Sequence, residues 1–163
     1  MKYIIGLLLF ICTLQVPVHA QQSADQRTLT TRVADVLAKF PAADKKQYDA
    51  NVTELGKLGS EGLQQMISML SPEGKGDNTA LEYAISAYSS SVMEGRQTDR
   101  STAVQVYCNS LKKLSDASNI NFIIRQLQLV GDDASLPCLA PYLNNEVHAG
   151  AAARAIAQAK SEA

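Results

Sequence analysis

The residues of this chain that could do chemistry are few, and their types and spacing do not form a catalytic centre. His148 is the only histidine beyond residue 20, so the rest of the chain has no histidine pair and no multi-histidine metal site. His148 follows Glu146 near the start of a predicted helix, where we expect a surface residue. Asp132 and Asp133 precede another helix, where they cap it and complement its dipole, with a weak cation site as the alternative. We therefore predict no catalytic residue, no cofactor and no metal ion.

Other short motifs lack the context that their chemistry requires. Ser89 to Ser91 has no nucleophile-elbow surroundings and is predicted to be a fraying helix end. Gly74-Lys75-Gly76 lacks the remaining glycine, the Lys-Ser/Thr ending and the preceding strand of a phosphate-binding loop. Lys45-Lys46 and Lys112-Lys113 are expected on solvated faces. These motifs give no reason to predict an enzyme.

The first twenty residues have the pattern of a signal peptide. Lys2 supplies a positive start, Tyr3 to Cys12 is a nearly unbroken apolar run, and Val18-His19-Ala20 ends in a small-residue cleavage pattern. The run is shorter than the ~20 residues of a membrane span, although a retained anchor is the alternative. We predict cleavage after Ala20, giving a periplasmic or secreted protein of residues 21–163 without stable membrane insertion.

Charge and composition of residues 21–163 favour a helical protein that does not bind nucleic acid. Removing Lys2 leaves 14 of the 15 basic residues against 16 acidic ones, a net charge of −2. Nucleic-acid binding normally needs a basic face. Trp is absent and aromatic residues are only 6%, which argues against a β-sandwich.

Apolar residues recur at three- and four-residue steps, and no window alternates with period two for long enough to predict a strand. The stripes break at Pro41, at Gly59, in the loop 71–77 and at 95–99, and Ser60 is a suitable N-cap after the glycine. Eight helices are predicted, the last two over about 134–143 and 147–160. Their core stripes are Leu29, Val33, Val36, Leu37, Phe40; Tyr48, Val52, Leu55, Leu58; Leu63, Met66, Ile67, Leu70; Leu81, Ala84, Ile85, Tyr88, Val92; Val104, Tyr107, Cys108, Leu111, Leu114; Ile120, Ile123, Ile124, Leu127, Val130; and Leu136, Leu139, Leu143.

Two segments of the chain are similar to each other. In 55–70 and in 127–143 a helix ends in glycine and a turn with acidic residues follows. A leucine then comes first, and further leucine or methionine residues follow it three and seven positions later. Gly59 and Gly131 lie 72 residues apart, close to two periods of ~36, a length typical of helical repeats. This self-similarity favours a stack of helix pairs over an irregular bundle.

Residues 127–157, LQLVGDDASLPCLAPYLNNEVHAGAAARAIA, resemble a HEAT-type repeat. In that family a first helix bearing proline and leucine precedes a polar turn and an alanine-rich second helix. Pro137 suits a first helical turn and Pro141 is expected to kink the helix, while the alanines 151, 152 and 155 keep the second helix thin. His148 departs from the arginine that often follows the valine. The resemblance implies an all-α, right-handed α-solenoid of about four antiparallel pairs, near 23–58, 60–93, 98–130 and 133–160.

The cysteines Cys108 and Cys138 would both lie on first helices of adjacent pairs. A disulfide is conceivable in an exported protein, but regular helical phase turns Cys138 away from the Leu136–Leu143 face, and stacked helices lie ~8–10 Å apart. We therefore expect a buried Cys108 and a more accessible, separate Cys138.

The repeat resemblance implies a function of presenting a surface. The leading hypothesis is an exported, non-enzymatic protein-interaction or scaffold module that binds a protein or a glycan. The alternative is the N-terminal repeat segment of a secreted carbohydrate-active enzyme, similar to the 3-keto-disaccharide hydrolase type, with its catalytic domain beyond Ala163. Possible concave-face contacts are polar residues off the core stripes on first helices: Gln64, Gln65, Gln105, Asn109, Lys112 and Tyr142.

Overall fold

The computed structural model describes residues 27–95 and 100–161, so the predicted signal peptide lies outside the described residues. Within these ranges the regular structure is helical and contains no strand, which confirms the all-α prediction. None of the described helices is long and apolar enough to cross a membrane. The α-helices are α1 (Leu29–Leu37), α2 (Lys45–Ser68), α3 (Thr79–Met93), α4 (Arg100–Leu111), α5 (Ala117–Val130), α6 (Leu136–Leu139) and α7 (Ala149–Ser161).

Gly59 divides α2 into two helical segments. Its φ of 62° and ψ of −159° are non-helical, in a region that only glycine adopts at low cost. The first segment begins after Asp44, whose carboxylate accepts a hydrogen bond from the Gln47 N–H at 2.8 Å. The predicted helix boundary at Gly59 is therefore confirmed, although no loop separates the two segments.

Polar side chains fix both ends of α5. The Asp116 carboxylate caps its start by accepting the Asn119 N–H at 3.0 Å. At its end, the Arg100 guanidinium donates to the carbonyl oxygens of Val130, at 2.7 Å, and Gly131, at 2.6 Å. A helix leaves its last carbonyls without internal partners, so Arg100 both closes α5 and holds it against the start of α4.

Residues 133–144 do not form the regular helix predicted over 134–143. A 3₁₀ turn, Asp133–Ser135, leads into the single turn of α6, and a second 3₁₀ segment, Ala140–Asn144, follows. Pro141 has no N–H to continue the hydrogen bonding of α6, and the chain tightens there. The changed phase leaves Leu143 43% exposed, so its prediction as a core residue is wrong.

One apolar core runs through the described helices, and most predicted stripe residues lie in it. Helix α2 packs against α1, α3 and α4, whereas α5 packs against α3, α4 and α7, and α6 contacts α4 and α7. The largest fully buried apolar side chains are Tyr88, Tyr107, Leu55, Leu63, Met66, Ile67, Ile85, Ile123, Ile124, Leu127, Leu139 and Val33.

The serines at 89–91 lie within α3, and their prediction as a fraying helix end is wrong. Ser89 and Ser91 are buried because their small side chains let α4 approach closely. The Ser89 hydroxyl shares a 2.6 Å hydrogen bond with the Tyr107 hydroxyl of α4, and Ser91 donates to the Tyr88 carbonyl at 2.7 Å. The hydroxyls of Ser89, Ser91 and Tyr107 thus each have a partner, which offsets the cost of placing them in the core.

Tyr107 is expected to make the fold less stable as pH rises above about 10. Burial raises the pKa of its phenol well above the ordinary value. As pH rises, the phenol therefore ionises in the unfolded chain while it is still protonated in the folded protein. The contribution of Tyr107 to the free energy of unfolding is fully present below pH ~10 and decreases above it, by about 1 kcal/mol at pH 10.5. Urea unfolding of the wild type and Tyr107→Phe at pH 8 and 10.5 tests this: the variant is expected to lose less stability between the two pH values, and equal losses would contradict the assignment.

Cys108 and Cys138 form a disulfide, with an S–S distance of 2.02 Å and 5.5 Å between the Cα atoms. The expectation of two separate thiols is wrong. It assumed a regular helix through Cys138, but 3₁₀ segments flank α6 on both sides, and their tighter winding changes the direction of its side chains. The bridge joins α4 to α6.

His148 is 6% exposed, so its prediction as a surface residue is also wrong. Its Nδ1 lies 2.8 Å from Oδ1 of Asn121 on α5, and its ring meets the Tyr142 ring edge-on at 5.5 Å. The Asn121 amide also donates to the Val147 carbonyl at 3.4 Å. Asn121 therefore holds the turn before α7 against α5, which places the imidazole inside.

Candidate functional site

The six residues predicted as surface contacts lie on α2, on or just after α4, and in the 3₁₀ segment Ala140–Asn144. Gln64 donates to the Ser110 hydroxyl and Gln65 to the Thr30 hydroxyl, both at 3.2 Å, and the two glutamines line a shallow depression of about 400 Å³ beside Val106. Gln105, Asn109 and Lys112 are exposed on or just after α4. The Tyr142 hydroxyl donates to the Leu111 carbonyl at 3.0 Å, and burial raises its pKa.

A different surface, the groove between α3 and α5, combines exposed apolar and polar side chains. This α3–α5 cleft has a volume of about 690 Å³, within the usual range for small-molecule sites. Tyr83 is 56% exposed and Leu129 is 48% exposed, although both are large apolar residues. The residues that line the cleft are Thr79, Glu82, Tyr83, Ser86, Phe122, Arg125, Gln126, Gln128 and Leu129.

A polar pocket of about 410 Å³ adjoins the cleft and shares Thr79, Glu82 and Arg125 with it. Asn78 shapes this pocket because its amide bonds both the N–H and the carbonyl of Ser71, at 2.9 and 2.8 Å. Asn119 at the start of α5 donates to the same carbonyl at 3.0 Å. The loop between α2 and α3 is thereby attached to α5, and the pocket wall is set before any ligand binds.

Glu73 and Ser118 close the far side of the polar pocket. The Ser118 hydroxyl donates to the Glu73 carboxylate at 2.6 Å, and the Glu73 N–H donates to the Asp116 carboxylate at 3.2 Å. Asp116 also caps α5. The carboxylate of Glu73 is therefore partly engaged within the protein, which leaves Glu82 as the more available acceptor.

Arg125 lies where the cleft meets the polar pocket. Its guanidinium is placed over the Phe122 ring, 5.8 Å from the ring centroid, a cation–π arrangement that restrains an exposed side chain. In the ranges that the structure describes, neither the Arg125 nor the Glu82 side chain takes part in an ion pair or a hydrogen bond. Both charged groups line the cleft with their hydrogen-bonding capacity unused.

Gln126 places a buried amide at the base of the cleft. The side chain is 4% exposed, and its Oε1 has no hydrogen-bond partner among the described residues. Its Nε2 makes only a long 3.5 Å contact with the Ser86 hydroxyl. An unsatisfied buried polar atom costs ~1–3 kcal/mol, so this position is poorly suited to stability alone.

Replacing Gln126 with Met is expected to raise the free energy of unfolding by about 1 kcal/mol, because it removes the unsatisfied amide at similar volume. Equilibrium unfolding in urea measures the change. The matched control is Gln105→Met on exposed α4, where a change within ~0.5 kcal/mol is expected. A destabilised Gln126→Met protein would show that the amide is satisfied in solution.

Sequence reasoning missed the α3–α5 cleft because it followed the core stripes. Tyr83 and Leu129 fall outside the stripes of their helices, and an isolated exposed apolar residue is normal in any protein. Their meeting depends on α3 packing beside α5, which the sequence pattern alone does not report. The sequence feature that could have indicated the cleft is a large apolar residue outside the core stripe on each of α3 and α5.

Comparisons of the chain with protein-family models, with curated proteins and with solved structures find no match. Within the described ranges, no group of three or more His, Cys, Asp or Glu side chains is arranged to hold a metal ion. Function is therefore inferred from the residues of the cleft and their surroundings.

Proposed function

We propose that this protein is an exported, non-enzymatic interaction module built from stacked HEAT-like helix pairs. The order of helix contacts supports this. Helices α2, α4 and α6 follow one another as one set of neighbours, and α3, α5 and α7 as a second set. Consecutive members of the two sets, α2 with α3, α4 with α5 and α6 with α7, also pack against each other, as the helix pairs of an α-solenoid would.

The observation that carries the proposal is the α3–α5 cleft between successive second helices of the pairs. Tyr83 and Leu129 remain about half exposed there, beside Glu82 and Arg125, whose charged groups make no ion pair or hydrogen bond among the described residues. Exposed apolar side chains rimmed by polar ones are typical of a binding surface. A partner that covers the cleft would bury both residues.

The Cys108–Cys138 disulfide supports export. Disulfides persist in oxidising compartments and are rare in the reducing cytosol. The proposed signal peptide would deliver the chain to such a compartment, where the bridge holds the proposed third and fourth pairs together.

Affinity capture tests the proposal. The full chain, expressed with its export segment and purified from the periplasm, is immobilised and exposed to periplasmic extract, and the retained proteins and glycans are compared between variants. The cleft variant Tyr83→Ala with Leu129→Ala is expected to lose most of the retained material.

The matched control is Leu143→Ala with Val147→Ala, which removes exposed apolar side chains outside the cleft (43% and 62% exposed). The control is expected to retain what the wild type retains. Equal retention by the wild type and the cleft variant would overturn the proposed function.

A further inference from the structure

We propose that the α3–α5 cleft and its adjoining polar pocket bind a neutral oligosaccharide. This inference rests on the proposed function and names the class of ligand for the same site. It depends on the charge of the lining, on the side chains that keep free hydrogen-bonding capacity, and on the exposed aromatic ring beside them.

The charge of the lining excludes a strongly ionic ligand. Among the residues that line the two joined cavities, the charged ones are Glu73, Glu82 and Arg125. Glu73 already accepts a hydrogen bond from Ser118, and Glu82 lines the same space as Arg125. The near-balance of charge offers neither the cationic cluster that a phosphate or sulfate group needs nor a purely acidic surface for a basic peptide.

The free polar groups suit neighbouring hydroxyls. In the described part of the chain, the side chains of Glu82, Arg125 and Gln128 make no hydrogen bond to another protein group, and all three line the α3–α5 cleft. A carboxylate accepts two hydroxyl protons, a guanidinium donates in a planar fork, and an amide does both. Pairs of adjacent sugar hydroxyls match these planar groups, because each hydroxyl is at once a donor and an acceptor.

An aromatic face lies next to these polar groups. Tyr83 follows Glu82 on α3 and is 56% exposed. The C–H face of a pyranose ring stacks on such a ring, and burial of the aromatic face stabilises the complex. Glu82 and Arg125 line both cavities. An oligosaccharide with one sugar unit in contact with Tyr83 can therefore place its next unit in the polar pocket.

The apolar residues do not form the deep pocket that a peptide anchor fills. Tyr83 and Leu129 are about half exposed, and Phe122, which also lines the cleft, is 6% exposed. Gln126 also lines the cleft and is 4% exposed. A ligand rich in hydroxyl donors fits this lining better than an aliphatic side chain does.

The test is a titration of the full chain, purified from the periplasm, with neutral glucose trisaccharides of α-1,4, β-1,4 and β-1,3 linkage. Trigalacturonic acid serves as the anionic comparison. Calorimetry gives the affinity, and amide chemical shifts give the location of binding. At least one neutral trisaccharide is expected to bind, with shifts confined to residues of α3, α5 and the loop 71–77.

The variants separate stacking from hydrogen bonding. Tyr83→Ala and Glu82→Gln are each expected to weaken binding about tenfold, whereas Tyr83→Phe keeps the ring and the wild-type affinity. Gln105→Ala on exposed α4 is the control and is expected to change nothing.

Absence of binding across the neutral panel would overturn the inference, and so would tighter binding of the anionic trimer or binding that Tyr83→Ala leaves intact. If the panel fails while the capture experiment yields a protein that depends on the cleft, the oligosaccharide inference fails and the proposed function stands. If neither experiment shows dependence on the cleft, both fail.

Discussion

Breaking the Cys108–Cys138 bridge is expected to lower the free energy of unfolding by about 3–4 kcal/mol. The two cysteines are 30 residues apart in sequence, and closing a loop of that size removes much of the conformational freedom of the unfolded chain. Folded domains have a total stability of only ~5–15 kcal/mol. Loss of the bridge would therefore remove a large fraction of the stability of this domain.

The double variant Cys108→Ala, Cys138→Ala tests this without placing unpaired hydroxyls in half-buried positions. Its urea unfolding is compared with that of the wild type with and without a reductant. The reduced wild type is expected to match the double variant. If the oxidised and reduced wild type were equally stable, the bridge would not form in solution.

Replacing Gly59 with Ala is expected to destabilise the protein by about 2 kcal/mol. The φ of 62° and ψ of −159° at this position form a region that is nearly restricted to glycine, and other residues there cost ~1–3 kcal/mol. A Cβ at Gly59 would have no heavy atom within 4 Å. The expected loss therefore arises from backbone strain and not from a steric clash.

Gly150 provides the matched control because the same substitution has the opposite expected effect there. It lies inside α7, where an added Cβ would make an ordinary 3.6 Å contact with Arg154. Alanine is favoured over glycine by ~0.8–1.0 kcal/mol in a helix interior and by less in a first turn, and Gly150 is the second residue of α7, so Gly150→Ala is expected to stabilise the protein slightly. Urea unfolding of both variants measures the difference, and a neutral Gly59→Ala would show that α2 continues through residue 59 as a regular helix.

Local patterns predicted most of the helices correctly. The stripe of Val33 and Val36, and that of Ile123, Ile124 and Leu127, lie in the core as expected, because a 3.6-residue period directly places one helix face inward. Gly59 was also readable, since a glycine at a helix end indicates a backbone conformation that other residues avoid.

The errors lie where the structure depends on distant partners. His148 is buried because its Nδ1 hydrogen-bonds to Oδ1 of Asn121, 27 residues earlier. No local sequence pattern indicates that contact. Leu143 was misplaced because the chain tightens into a 3₁₀ segment at Pro141. Cys138 was misplaced because 3₁₀ segments on both sides of α6 change the direction of its side chains. The α3–α5 cleft depends on two neighbouring helices, so it became visible only when the packing was known.

Hydrogen–deuterium exchange of the full chain, with and without the periplasmic material that it retains, tests most directly the claim that function resides in the α3–α5 cleft. Protection is expected in peptides from 79–93 and 117–130, with little change in α4 and in Ala140–Asn144. Protection centred instead on Gln105, Asn109 and Tyr142, with none in α3 and α5, would contradict the claim.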